Sequence, residues 1–337
     1  MNSRERVIQA LALQKSDRVP VIPFIITFAA KYGGFRFLKY ATNPNILAEC
    51  QIAVAKRFKI DAVYVDSDPI VEIEAMGAPI RYPEDESPSA LEPIVKSMND
   101  VRSLRLPDPE KDGRLPVWIN AVKILKEKVG SDFAVFANIN GPFLAAVQLL
   151  GMVEAAKSMR QSSEIILELL NHTTHAITNF MKAEINAGAD AIILGDPMSS
   201  TSVISPHQFV RFSLPYIQQV VHNAGQTPII LHICGDTTRI IDKMVETGAR
   251  YLELDWTVNL TDVRTKHQNI GLIGNVNPTL LLTETPETVE ESCRSAIAAA
   301  GLTGAFILGT GCELPRDTPH ANLDRMIIAA ERYGRYS

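Results

Sequence analysis

Three side chains have types and spacing that can do chemistry together. His232 and Cys234 stand two apart where the apolar run Thr227 to Ile233 ends, and Cys312 lies far downstream in Gly309-Thr310-Gly311-Cys312-Glu313. One imidazole and two thiolates form a soft donor set that suits zinc, and three protein ligands leave a fourth position for a substrate. Residues two apart in an extended strand face the same side, so His232 and Cys234 can grip one ion while Ile233 turns away. Glycines before Cys312 give its loop the freedom to bring the sulfur across, and to move if coordination changes. Taken singly, a cysteine is most often a small buried hydrophobe. The His-x-Cys pair together with a glycine-flanked cysteine is what favours a metal. Cys50 and Cys293 fall in helical patterns and read as packing residues. His172, His175 and His207 lack a carboxylate at ligand spacing or sit at a helix start, and read as surface or structural residues.

Elements must hold these groups in place. Eight short apolar runs alternate with longer stretches of helical periodicity, the pattern of repeated βα units around a parallel sheet. The runs are Val19 to Ile25, Ala62 to Asp66, Phe133 to Ile139, Ala191 to Asp196, Thr227 to Ile233, Tyr251 to Asp255, Ile270 to Val276 and Phe306 to Gly311. Several are apolar on both faces, as strands wrapped by helices should be. Eight such strands predict a closed (β/α)8 TIM barrel, an α/β fold. The expected helices are Pro44 to Phe58, Val117 to Val129, Met152 to Ala187, Pro206 to Asn223, Thr237 to Thr247 and Pro286 to Ala300. Prolines near their starts and Gly225, Gly248 and Gly301 near stops fit helix boundaries. A further helix, Arg4 to Leu13, precedes the first strand as an N-terminal extension. The Pro-, Glu-, Asp- and Ser-rich stretch Met76 to Pro116 reads as an elaborated excursion after strand two. With no separating linker, residues 1–337 read as one domain.

Barrel active sites form at the carboxyl-terminal mouth from the ends of several strands. Polar residues collect at those predicted ends: Asp66 and Asp68, Asn138 and Asn140, Asp196, His232 and Cys234, Asp255, Asn275 and Asn277, and Cys312. Asp255 is the candidate oxygen ligand of the resting metal site. Asp255 and Asp196 are the carboxylates assigned to catalysis. Asp66, Asp68, Asn138 and Asn275 are assigned to holding substrate or cofactor. Turn capping is the alternative for each, since Asn and Asp favour loop starts for backbone reasons.

Composition narrows the setting. Of 337 residues, 46% are hydrophobic and 21% charged, which is ordinary for a globular protein and speaks against disorder or a disulfide scaffold. A net charge of -5 gives no electrostatic reason to expect nucleic acid. No run is apolar enough to span a bilayer, and the first residues lack a signal-peptide pattern. Four irregularly spaced cysteines then predict a reducing cytoplasm with no disulfides.

Several segments together resemble a known family over nearly the whole chain. They are Arg4-Glu5-Arg6-Val7 with Asp17-Arg18-Val19-Pro20, Glu72-Ile73-Glu74-Ala75-Met76-Gly77-Ala78, Gly195-Asp196-Pro197, Ile204-Ser205-Pro206, His232-Ile233-Cys234-Gly235 and Gly311-Cys312-Glu313-Leu314-Pro315. The chain resembles the uroporphyrinogen decarboxylase-like superfamily and, within it, the zinc-dependent methylcobamide:thiol methyltransferases of the coenzyme M type. Most of these pieces mark the superfamily; the His-x-Cys and the late cysteine match the zinc ligands of the methyltransferase branch. That resemblance implies zinc on His232, Cys234 and Cys312, methyl transfer between a methylcobamide (corrinoid) and a small-molecule thiol, and a corrinoid carrier protein as partner, the enzyme itself being a monomer or homodimer. No Asp-x-His-x-x-Gly run of the cobalamin-carrier type occurs in the chain, so the corrinoid is expected on a separate protein.

Two departures matter. Coenzyme M enzymes have Glu where this chain has Asp255, one methylene shorter. The decarboxylases clamp substrate carboxylates with arginines after strand one, whereas Phe24 to Ala30 contains none before Arg36. Decarboxylation is therefore not expected, although that family's catalytic aspartate falls at Asp66 or Asp68. Two alternatives stay open: an enzyme that loads the corrinoid by demethylating a thiol, amine or aryl ether, and a non-catalytic zinc-binding scaffold closed by Asp255. Coenzyme M, another thiol and a reduced folate all remain possible acceptors.

Overall fold

The computed structural model describes residues 1–161, 163–301 and 304–336. Seven parallel strands form one curled sheet in the order β1 (Ala62–Val65), β4 (Ala134–Asn140), β5 (Ala191–Gly195), β6 (Ile229–Ile233), β7 (Tyr251–Leu254), β8 (Gly271–Val276) and β9 (Phe306–Thr310). A two-stranded antiparallel ribbon, β2 (Ile80–Arg81) with β3 (Ser89–Ala90), lies in the expected excursion, followed by the helix Met98–Ser103.

The predicted first strand, Val19 to Ile25, is not a regular strand, yet it closes the sheet. The amide of Ile22 donates to Leu308 O at 2.8 Å and that of Leu308 to Pro20 O at 2.9 Å, while Asp61 N, just before β1, donates to Val21 O at 3.0 Å. Pro20 and Pro23 carry no N–H, so a full ladder on both edges is impossible. The result is a barrel of seven regular strands and one irregular stave.

Alternate residues point inward, as strand geometry requires. Ile22, Ala62, Tyr64, Ala134, Phe136, Ala191, Ile193, Ile230, Tyr251, Ile273 and Ile307 pack into a central cluster. Val7, Ala10 and Leu11 of the N-terminal helix Ser3–Leu11 join it from below, so this helix plugs the floor of the barrel. Asn2 and Glu5 close a capping box at its start. The outward faces pack against the helices in a larger apolar layer.

Two expected helices are divided. Pro206–Phe212 and Leu214–Asn223 meet at Ser213, because Pro215 has no amide to continue the first helix and suits the start of the second. The stretch Met152 to Ala187 forms Met152–Gln161 and Glu164–Ala187, with Ser163 at the head of the second and the expected position Ser162 outside the described residues. Serine competes for backbone hydrogen bonds and favours helix ends over interiors.

Candidate metal centre

His232 is inward-facing near the end of β6, and Cys234 follows one residue beyond the strand. Gly195 of β5 is His232's neighbour on one side and Glu253 of β7 on the other. Cys312 arrives on the loop after β9. The donor atoms of His232, Cys234 and Cys312 all lie within 4.8 Å of one another. His232 Nε2 is 2.9 Å from Cys234 Sγ, and the two sulfurs are 3.6 Å apart. Zinc bond lengths place ligand atoms of a tetrahedral site roughly 3.5–3.8 Å apart, so the sulfur pair already has that separation and the nitrogen needs only a small outward shift. These three residues therefore fit a zinc ion with room for one further ligand.

Local backbone explains why the sequence folds this way. Gly235, next to Cys234, has φ +81°, a left-handed conformation that turns the chain sharply after the cysteine. At Gly311 a β-carbon would stand 2.4 Å from the backbone nitrogen of Trp256, so only glycine lets the Cys312 loop approach the end of β7. That loop is pinned where the sequence suggested mobility. Gly311 N donates to Val276 O, Leu314 N to Phe24 O at 2.7 Å, and Glu313 accepts from the amide and hydroxyl of Thr27 at 2.9 and 2.6 Å.

Behind the histidine stands Glu253, which sequence reasoning did not single out. It is fully buried, and its Oε2 is 3.4 Å from His232 Nδ1. At that separation the two are an ion-pair contact, and neither that nitrogen nor either Glu253 oxygen has a hydrogen-bond partner. A carboxylate behind a ligand histidine fixes the tautomer that offers Nε2 to the metal. The signal was present: period two in Tyr251-Leu252-Glu253-Leu254-Asp255 turns Glu253 inward, as it does His232 and Cys234. With no cation bound, burial opposes charge on His232, but Glu253, Cys312 and Asp255 outweigh it and push the imidazole up to about 9. The Cys312 thiol is pushed up by its contact with Cys234 and by burial. A divalent cation reverses both tendencies, since it favours thiolate and neutral imidazole.

The other residues selected from the sequence take several positions. Asp255 is not one of the donor group. Its Oδ2 accepts from Gly235 N at 2.9 Å, and its Oδ1 accepts from the amide and hydroxyl of Thr257, so it positions the loop carrying Cys234. Asp196, expected to be catalytic, is wholly buried and accepts from Phe143 N at 3.2 Å and Leu144 N at 3.0 Å, capping the helix Pro142–Leu150. Burial lifts its carboxyl to about 7 against the pull of those amides. Asp68 is gripped at both oxygens by Arg114, at 2.6 and 2.9 Å, and Arg114 also holds Glu74 at 2.7 Å. Asn275 donates to the carbonyls of Asp255 and Val258. All four are hydrogen-bonded to the surrounding scaffold. Asp66 and Asn138 instead face the interior of the mouth, Asn138 Oδ1 having no partner.

A barrel whose mouth carries this donor set belongs to a defined class. The model of the uroporphyrinogen decarboxylase (URO-D) family matches residues 2–333, and the chain belongs to that family. Among its relatives, a protein named methylcobamide:CoM methyltransferase MtbA from Methanosarcina acetivorans is 28% identical over 337 residues, covering 98% of each chain. A protein named uroporphyrinogen decarboxylase from Cellvibrio japonicus is 27% identical, covering 95% of this chain and 94% of its own. In three dimensions, a solved structure described as a methyltransferase from Methanosarcina mazei superposes with a TM-score of 0.91 over 99% of both chains at 24% identity, which shows that the fold is shared.

Proposed function

We propose that this protein moves a methyl group from a methylated corrinoid, carried on a partner protein, to a small thiol. The observation that carries this reading is the convergence of His232, Cys234 and Cys312 from β6 and the loop after β9 at the open end of the barrel. The similarity to a relative named for methylcobamide:CoM methyl transfer supports it. Zinc held there supplies Lewis acidity, which lets a thiol bind as thiolate at neutral pH.

The chain's own residues do the rest. Glu253 holds the ring of His232, Asp255 fixes the Cys234 loop through Gly235, and Glu313 ties the Cys312 loop to Thr27. Phe24, whose ring centroid lies 5.8 Å from that of His232 and 6.0 Å from that of Tyr64, helps to exclude water beside the donors. The acceptor gives up its S–H proton to solvent on binding. A sulfur lone pair then forms the new S–C bond to the methyl group, and the Co–C bond breaks with its electron pair kept by cobalt as Co(I). A decarboxylase would need cations for its substrate carboxylates, and Arg114, the buried arginine on this side of the barrel, is committed to Asp68 and Glu74.

The test is to incubate zinc-loaded protein with methylcobalamin and thiols while following Co(I) absorbance. His232→Ala, Cys234→Ser and Cys312→Ser should each lose zinc and transfer while the barrel stays folded by circular dichroism. Full transfer by Cys312→Ser would falsify the scheme.

A further inference from the structure

Across the mouth from the donor trio is a second group of inward polar side chains. Strands β1 and β4 pair with Tyr64 beside Phe136 and Val65 beside Ala137, so Asp66 and Asn138 follow as neighbours on the inward face. Strand β4 pairs in turn with β5, Asn140 beside Gly195, and Gly195 lies beside His232. Gly195 leaves this stretch of the wall bare. A methyl group there would meet nothing nearer than Asn138 Oδ1 and Ile139 O, both at 3.9 Å. The gap left by Gly195 therefore separates His232 from Asn138.

The groups near this gap are unsatisfied. Asn138 is 6% exposed and Tyr64 2%, yet Asn138 Oδ1 and the Tyr64 hydroxyl have no hydrogen-bond partner. Asp66 is buried beside them. Buried polar groups are nearly always paired, and orphaned ones beside open space mark where a ligand's polar atoms belong.

Charge then selects the ligand. Burial first, then Asp68, Glu313 and Glu72 around it, raises the pKa of Asp66 well above the carboxylate range, so Asp66 becomes the carboxylate only when a cation is placed beside it. The hydroxyl of Tyr64 feels Glu253 and Asp66. Among the described residues the buried cations are Arg6, Arg114 and Arg264. Arg6 pairs with Asp17 and Asp61 on the barrel floor, Arg114 with Asp68 and Glu74, and Arg264 donates to the carbonyls of Ile270 and Ala305. Arg6 and Arg114 are thus held by carboxylates, and Arg264 lies at the amino-terminal ends of β8 and β9, away from the mouth.

Resting on the thiol-acceptor reading above, we infer that the acceptor is a short aminothiol, its sulfur beside His232 and its ammonium received by Asp66, Asn138 Oδ1 and Tyr64 across the gap at Gly195. An anionic tail is disfavoured at this position, and a hydroxyl is intermediate.

The experiment is calorimetric titration of zinc-loaded protein with three thiols of equal chain length: 2-aminoethanethiol, 2-mercaptoethanol and 2-mercaptoethanesulfonate. The aminothiol should bind at least ~10-fold more tightly than the sulfonate, as one favourable and one unfavourable buried charge contact imply. Asp66→Asn should bring the three within ~3-fold of one another with zinc content unchanged, because only the charge term is removed. Gly195→Ala should weaken the aminothiol while zinc stays bound. Equal or tighter binding of the sulfonate by the unaltered protein overturns the inference, as does unchanged selectivity in Asp66→Asn with unchanged aminothiol affinity in Gly195→Ala. Parallel transfer assays separate this from the parent reading. Co(I) formed only with the sulfonate removes the aminothiol and leaves methyl transfer standing, whereas zinc-loaded protein that neither binds nor methylates any of the three removes both.

Discussion

His232 has one nitrogen for a metal and one for Glu253, and the second sets the quality of the first. Nδ1 and both Glu253 oxygens have no other partner, so this buried pair has no alternative arrangement among the described residues. Glu253→Gln keeps the shape and removes the charge. It should weaken zinc binding roughly 10- to 100-fold, the usual cost of losing such a partner, measured by competition with a chromogenic chelator. Unchanged zinc affinity would show that the carboxylate is only filling space. Asp196 makes a prediction of different kind. Its folded pKa of about 7 lies above the ordinary carboxyl value because of burial, so the folded protein holds a proton there that the unfolded chain has lost. The contribution to stability is thus full in acid and is lost as pH rises through about 7, at no more than about 1.4 kcal/mol per pH unit. Asp196→Asn cannot ionise, so its stability relative to the parent should improve between pH 5 and 8, as measured by urea midpoints. A constant difference across that range would show that Asp196 is ionised in the fold throughout.

At the scale of elements, the floor of the barrel depends on one aspartate. Asp61, fully buried just before β1, accepts from Arg6 at 2.6 Å, Arg18 at 2.8 Å and the amide of Val21 at 2.7 Å. It ties the plugging helix, the irregular stave and the first regular strand together. Asp61→Ala leaves Arg6 with Asp17 alone and takes the carboxylate from Arg18 and from the buried Val21 amide, and should cost about 3–5 kcal/mol by urea unfolding. Less than 1 kcal/mol would mean that the apolar plug alone sets the closure. This junction also marks what could be read from residue order. Period two and apolar runs located all seven regular strands, because strands buried on both faces are written as uninterrupted Val, Ile and Leu. Val19 to Ile25 looks the same by composition, but the two prolines decide its hydrogen bonding, and where its bonds go depends on neighbours distant in sequence. The donor trio was legible for a similar reason: its ligand types are rare and strand ends converge in a barrel. Asp196 and Asp255 were not legible as backbone-holding groups, because a carboxylate that caps amides and one that meets a ligand look identical in sequence.

For the whole molecule, the proposed methyl transfer calls for a donor much larger than the thiol. Among the described residues no helix is long and apolar enough to cross a membrane. The surface that such a donor would meet is the rim around the two cysteines. Trp256 follows Asp255, lies against the Gly311 turn next to Cys312, and is 50% exposed. Across from it, exposed Val203 belongs to the loop whose Ser200 and Ser202 touch the turn at Gly235, next to Cys234. Large apolar side chains left in water beside a reactive centre suit a transient partner, and tryptophan is the residue most often found to dominate such contacts. Trp256→Ala should raise KM for a corrinoid carrier protein ~10-fold, the effect of a typical hot-spot truncation, with kcat little altered. Free methylcobalamin, which needs only the mouth, should react at the parental rate. The two donors are compared in one spectrophotometric assay of Co(I) formation. Equal losses with both would place Trp256 in contact with the corrinoid itself, and no loss with either would leave the rim around Cys312 without a part in docking.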